Sequence, residues 1–147
     1  MATQATAAGA PPTRYDLPAG ALRLSDSRVP AGTHATITFS VRLDRAASGR
    51  LALTLPLRWT QRADTSDIAY ARLGARGRAS SSRTRVTRSG RVVSFAFTRA
   101  RKGDSGSFDV RDNGIPAGTY RLAFSWREGG EVRRRGTARV VFYARPR

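Results

Sequence analysis

"IPAGTYRLAFSW", Ile115–Trp126, nearly repeats an earlier stretch of the same chain, "VPAGTHATITFS", Val29–Ser40. A duplicated module would keep its apolar positions in the same phase after the shared threonine. After Thr33 those positions are Ala35, Ile37 and Phe39; after Thr119 they are Tyr120, Leu122 and Phe124. The phase differs by one residue, so the two strands are not copies. A third partial copy, "LPAG" at Leu17–Gly20, precedes "ALRL", and the spacings are unequal. Unequal spacing excludes a solenoid or array. What the segments share is turn chemistry. Proline fixes φ, glycine supplies a permissive φ, and the threonine starts a strand.

Working outward, a period of two dominates from Tyr15 onward, which argues for half-buried strands. "THATITFSVRL" places Ala35, Ile37, Phe39, Val41 and Leu43 on one face. "RLALTLPL" repeats the rhythm with Leu51, Leu53 and Leu55, and Pro56 puts the end of that strand at an edge or bend. "DIAYARL" is a weaker strand around Ile68 and Tyr70. "SRTRVTRSGRVVSFAF" reads as a hairpin closed by Ser89-Gly90, with Val86 opposite Val93 and Thr84 opposite Phe95. Arg83 and Arg85 then take the other face. "SFDVRD", "TYRLAFSW" and "GTARVVFYA" supply further strands.

The last hairpin needs an irregularity. A regular two-residue Gly129-Gly130 loop would set Trp126 against Arg133 and Phe124 against Arg135. Pairing centred on Gly130 instead matches Phe124 with Gly136, Leu122 with Ala138 and Tyr120 with Val140. An odd loop or a bulge is therefore expected, because a one-residue slip exchanges the faces of a strand. The expected fold class is all-β: an antiparallel Ig-like β-sandwich of seven to nine strands. It should be one domain over residues 15–147, behind a disordered leader, 1–14, that has almost nothing to bury.

"GTYRL", Gly118–Leu122, resembles the tyrosine corner of immunoglobulin-like folds, and "VPAGTHATITFSV" is similar to the second strand of bacterial surface Ig-like and fibronectin-like domains. The resemblance spans Leu22 to Tyr143. It implies that Leu122 occupies the place of the cysteine in antibody domains. It also implies binding, spacing or display at a bacterial surface, or a structural role in a phage particle or filament.

Composition narrows the chemistry. The 147 residues include no cysteine, which excludes disulfides and thiolate metal sites. His34 is the single histidine, so zinc sets and Ser-His-Asp catalysis are poorly provided for. No enzyme and no cofactor are expected. Asp104, Asp109, Asp112 and Asn113 are oxygen ligands that match no EF-hand spacing. Asp112-Asn113-Gly114 reads as a turn, with Asp104 pairing a neighbouring arginine. Trp59 reads as core.

The net charge of +17 is the strongest functional signal, and Lys102 is the single lysine. Such a chain adheres to polyanions. Between Ala71 and Arg101 stand nine arginines and no acid, including Arg76, Arg78, Arg83 and Arg85; a second cluster is Arg133, Arg134 and Arg135. These seven form the candidate anion- or partner-binding set, because the guanidinium fork suits phosphate and carboxylate. The competing reading is a solvated basic face that keeps strand edges from aggregating. Expected partners are an acidic polymer or acidic protein surface, with self-assembly by strand addition as an alternative. Nucleic-acid binding would be non-specific, since Phe95, Phe97, Phe124, Trp126 and Phe142 fall on core faces and are not free to stack on bases. No apolar run approaches a membrane span. The expected location is secreted or cell-surface.

Overall fold

The computed structural model describes residues 10–32, 34–56, 59, 63–64, 72–73, 78–79, 82–88, 90–112 and 114–144. Thirteen β-strands are found: β1 (Arg14–Leu17), β2 (Gly20–Leu24), β3 (Arg28–Pro30), β4 (Thr36–Leu43), β5 (Ala47–Pro56), β6 (Ala63–Asp64), β7 (Arg72–Leu73), β8 (Arg78–Ala79), β9 (Ser82–Thr87), β10 (Gly90–Ala100), β11 (Ser105–Asp112), β12 (Gly118–Glu128) and β13 (Glu131–Tyr143). Eight of them reach five residues or more, which agrees with the seven to nine expected. The side chain of Phe95 and the strand expected around Ile68 and Tyr70 lie outside the described residues, apart from Arg72–Leu73 in β7.

Two sheets form a mostly antiparallel Ig-like sandwich; the pairing of β3 with β13 is parallel. One has the order β1-β2-β4-β11-β6 and the other β3-β13-β12-β5-β10-β9; β7 and β8 make a separate ribbon. Alternation explains the core. In β4, Ile37, Phe39, Val41 and Leu43 are buried, while Thr36, Thr38, Ser40 and Arg42 point outward. Facing them across the sandwich are Leu51 and Leu53 of β5, Leu122 and Trp126 of β12, and Val140 and Phe142 of β13. Rings cross-brace this interior: Phe39 stacks on Phe108 at 5.1 Å, and buried Trp59 meets Tyr120 and Phe142 edge-on at 5.6 and 5.5 Å.

Two of the three PAG segments are turns, and the third is the bend that leads into β12. Pro18-Ala19 is the two-residue loop of the β1–β2 hairpin. Ala31-Gly32 carries the chain from one sheet to the other, with Gly32 at φ 75°. Pro116 precedes β12, and its carbonyl accepts a hydrogen bond from the Tyr120 hydroxyl at 2.6 Å. That bond is the defining contact of a tyrosine corner. Leu122, fully buried, fills the expected core position beyond it.

The last hairpin contains the expected bulge. Gly129 and Gly130, at φ 59° and 80°, form the two-residue turn, and both values lie where glycine is favoured. Glu128 then faces Glu131 and Arg127 faces Val132, but Trp126 faces Arg134. Arg133 is the extra residue. Beyond it the register is Phe124–Gly136, Leu122–Ala138 and Tyr120–Val140, as the apolar pattern requires.

The β9–β10 hairpin differs from expectation. Thr87 pairs with Gly90, Val86 with Arg91 and Thr84 with Val93. The register differs from the expected one by two residues, so its parity is the expected one. Pro56 ends β5 past the reach of β12, whose pairing with β5 stops at Leu53, so the missing N–H breaks no ladder on that side.

Candidate anion-binding face

In the six-stranded sheet Arg50, Arg121 and Arg127 alternate with buried residues and so stand on the face turned away from the core, whereas Arg134 lies opposite Trp126 and Arg91 opposite Leu55. One cross-strand row can be followed through the register: Arg135 of β13, Ser125 of β12, Ala52 of β5, Ser94 of β10 and Arg83 of β9. Four strand spacings separate its ends, roughly 19 Å. Between the two arginine positions lie small side chains, which leave a shallow floor. Arg127 and Arg50 are neighbours across β12 and β5, and Arg50 donates from Nη1 to Ser94 Oγ at 3.2 Å. A concavity of about 280 Å³ sits over Ala52, Thr54, Ala123 and Ser125, with Arg127 and Arg135 at its rim.

The hairpin tip is held rigidly from below. Trp126 Nε1 donates to Glu128 Oε1 at 2.7 Å, and Arg45 Nη2 reaches the same oxygen at 2.8 Å. Arg45 also donates to the Pro18 carbonyl at 3.3 Å, so the tip is tied to the β1–β2 loop of the other sheet. The Trp126 hydrogen bond holds the Glu128 carboxyl below the ordinary carboxylate range; partial burial opposes this, and Arg45 adds to it. Arg133 is partly neutralised by Glu131 at 3.4 Å. Arg134 and Arg135 are exposed and have no ion-pair or hydrogen-bond partner among the described residues.

The seven arginines expected as one set are therefore divided. Arg83, Arg85, Arg133, Arg134 and Arg135 belong to the six-stranded sheet, with Arg85 at the register position opposite Val92. Arg78 lies in β8, in the separate ribbon. Arg76 lies outside the described residues. Sequence reasoning missed Arg50 and Arg127, which stand in this face between the two clusters. Each is one outward residue in an alternating strand, and nothing local shows that β5 lies between β12 and β10.

The acidic residues checked for metal binding are occupied with other work. Asp112, buried, accepts from the backbone N–H groups of Gly114 and Ile115 at 2.8 and 2.6 Å through Oδ1, the turn expected there. Asp109 accepts from the Thr38 hydroxyl at 2.6 Å. Asp104 accepts from the Arg101 backbone N–H at 2.8 Å, where a side-chain pairing had been expected. Asn113 lies outside the described residues. Among the described residues no three potential ligands cluster, and no helix is long and apolar enough to cross a membrane.

The class defined by this geometry is an all-β, two-sheet sandwich. No protein-family model matches the chain, and no curated protein matches it in sequence. Among solved structures it is similar to a non-cellulosomal cohesin from the hyperthermophilic archaeon Archaeoglobus fulgidus, with 18% identity and a TM-score of 0.49 over 82% of this chain and 89% of that one. It is also similar to the C-terminal domain of the Streptococcus pyogenes antigen I/II-family protein AspA, at 9% identity and TM-score 0.42, covering 80% of this chain and 42% of that one. The C-terminal domain of the Streptococcus agalactiae AgI/II polypeptide BspA gives 11% identity and TM-score 0.44, covering 80% and 46%. The chain spans less than half the length of the two streptococcal chains it matches.

Proposed function

We propose that this protein is a non-enzymatic binding module of an exported or surface-associated bacterial protein, and that the arginine-bearing face of its six-stranded sheet holds an acidic polymer or acidic protein surface. The observation that carries this reading is the row Arg135–Ser125–Ala52–Ser94–Arg83. It sets basic positions at both ends of a floor of small residues, in a chain of net charge +17. A flat floor with separated charges suits an extended polyanion better than a compact ligand, because successive anionic groups can meet successive arginines.

The test is retention on an anionic-polymer column in a salt gradient. Reversing Arg83, Arg127 and Arg135 to Glu should lower the affinity at low salt by about a thousandfold, at roughly tenfold per lost charge pair, with the melting temperature unchanged. Reversing Arg88, Arg99 and Arg101 makes the same change in net charge elsewhere and should cost far less. Equal losses in both triples would mean that total charge decides, and the face would be discarded. Equal retention of any DNA sequence, with a steep logarithmic salt slope, would move the reading to non-specific nucleic-acid binding.

A second reading, a subunit of a phage particle or filament that assembles by strand addition, is favoured by the edge of β13. That strand pairs with β12 along its length, but on its other side it pairs with β3 over Val141–Tyr143 alone. Arg139 N–H there donates to the Tyr15 hydroxyl at 3.1 Å. Among the described residues, Glu131–Ala138 has no strand paired on that other side. An antiparallel second copy on this edge would bring Arg133–Arg135 near their own counterparts, which is unfavourable; an acidic strand would not. Thr137 shares the edge-facing direction of Arg139 N–H. Thr137→Pro should leave the fold intact and abolish any salt-resistant assembly seen by light scattering. Assembly that survives this change excludes the β13 edge.

A further inference from the structure

The outer face of the five-stranded sheet carries a second basic concavity, on a different sheet from the arginine row. Register sets Arg14 of β1 opposite Arg23 of β2, and Ala21 of β2 opposite Arg42 of β4. Arg14, Arg23, Arg42, Lys102 and Asp44 line one groove of about 410 Å³. Its volume lies in the range of small-ligand sites.

Backbone hydrogen bonds fix its walls. Asp44 N–H donates to the Ala19 carbonyl, Gly103 N–H to the Leu43 carbonyl, and Leu43 N–H to the Asp104 carbonyl, each at 2.8 Å. These bonds join the β1–β2 loop, the end of β4 and the β10–β11 turn into one frame. Binding therefore requires little ordering of the main chain.

The charges are unbalanced. Arg14 is paired with Asp16 at 3.2 Å. Arg23, Arg42 and Lys102 have no ion-pair or hydrogen-bond partner among the described residues, and Asp44 is the one acid in the lining. A single carboxylate offers two oxygens and one charge, enough for one guanidinium fork. A phosphate monoester offers three oxygens and a charge of about −1.5 to −2, which fits several cations at once. Asp44 would repel a bare anion, but it can accept a hydrogen bond from a hydroxyl group beside the phosphate.

We propose that this groove binds a phosphate group carried on a small polyol or sugar, with Arg23, Arg42 and Lys102 on the phosphate and Asp44 on a neighbouring hydroxyl. The proposal stands independently of the acidic-partner reading, because it uses other residues on the other sheet.

The experiment is isothermal titration at low salt with glycerol 1-phosphate, inorganic phosphate and, as an ionic-strength control, chloride. Glycerol 1-phosphate should bind saturably at one site and more tightly than inorganic phosphate. Arg23→Ala and Arg42→Ala should each weaken it by about tenfold, the usual effect of losing one charge-assisted contact. Arg127→Glu and Arg135→Glu should leave it unchanged, which separates this site from the polymer-binding face. Asp44→Asn should remove the preference for glycerol 1-phosphate over inorganic phosphate. Non-saturable heat, heat matched by chloride, or binding indifferent to both Arg23→Ala and Arg42→Ala overturns the site. Equal binding of the two phosphates by the native protein overturns the assignment to a polyol or sugar and leaves free phosphate as the ligand.

Discussion

Trp126→Ala should lower the unfolding free energy by about 3–5 kcal/mol, the usual cost of deleting a large buried aromatic side chain. The indole is fully buried, packs beside Phe97 at a ring distance of 5.9 Å, and faces Leu51 of β5 across the ladder. Its loss would open the core and release Glu128, which joins the hairpin tip to Arg45. A gentler variant separates the two effects. Trp126→Phe keeps an aromatic ring but removes the bond to Glu128, the main cause of that carboxyl's lowered pKa. A carboxyl lowered on folding adds stability above its unfolded pKa and loses that contribution as pH falls through its folded value. Native stability should therefore fall in the window just below the ordinary carboxylate range, and Trp126→Phe should flatten that part of the profile. Urea midpoints measured between pH 7 and pH 3 decide it; identical slopes for the two proteins would remove Glu128 from the account.

Gly20→Ala is the second large effect. A Cβ at Gly20 would stand 2.0 Å from the Arg42 carbonyl oxygen and 3.1 Å from the Leu43 Cα. Both obstacles are main chain, so β2 and β4 would have to separate. The expected loss is about 3 kcal/mol, at the upper end for overpacking. A lowered urea midpoint with an unchanged m-value would report this loss of stability. A loss below about 0.5 kcal/mol, the scale of an ordinary surface substitution, would mean that the two strands are not packed as closely as described.

Legibility in the sequence followed the physics of each feature. Alternation in "THATITFSVRL" gave the inner face of β4, because burial on one side imposes a period of two. The bulge at Arg133 was readable for the same reason: Phe124, Leu122 and Tyr120 have one register that keeps arginines off the core. The β9–β10 register was not readable, since it differs from the expected one by two residues and alternation cannot separate registers of the same parity. The tyrosine corner was visible because Tyr120 stands two residues before the core position Leu122. The basic surfaces were legible as charge and not as sites. The row from Arg135 to Arg83 exists because β5 is inserted between β12 and β10, and the phosphate groove exists because β1, β2 and β4 lie in that order. Such long-range neighbours leave no local pattern.

The parallel pairing of β3 with β13 has a kinetic meaning. Arg28 meets Val141, and Tyr15 reaches Arg139, so the first strands are joined to the last one across nearly the whole chain. Closing so long a loop costs entropy before any contact repays it. The growing polypeptide cannot complete its core until the C-terminal strand has left the ribosome. Folding is therefore slow for a chain of this length, and the hydrophobic faces of β4, β5 and β12 stay open until then. The excess positive charge has a use during that interval, because it keeps the unfinished chains apart.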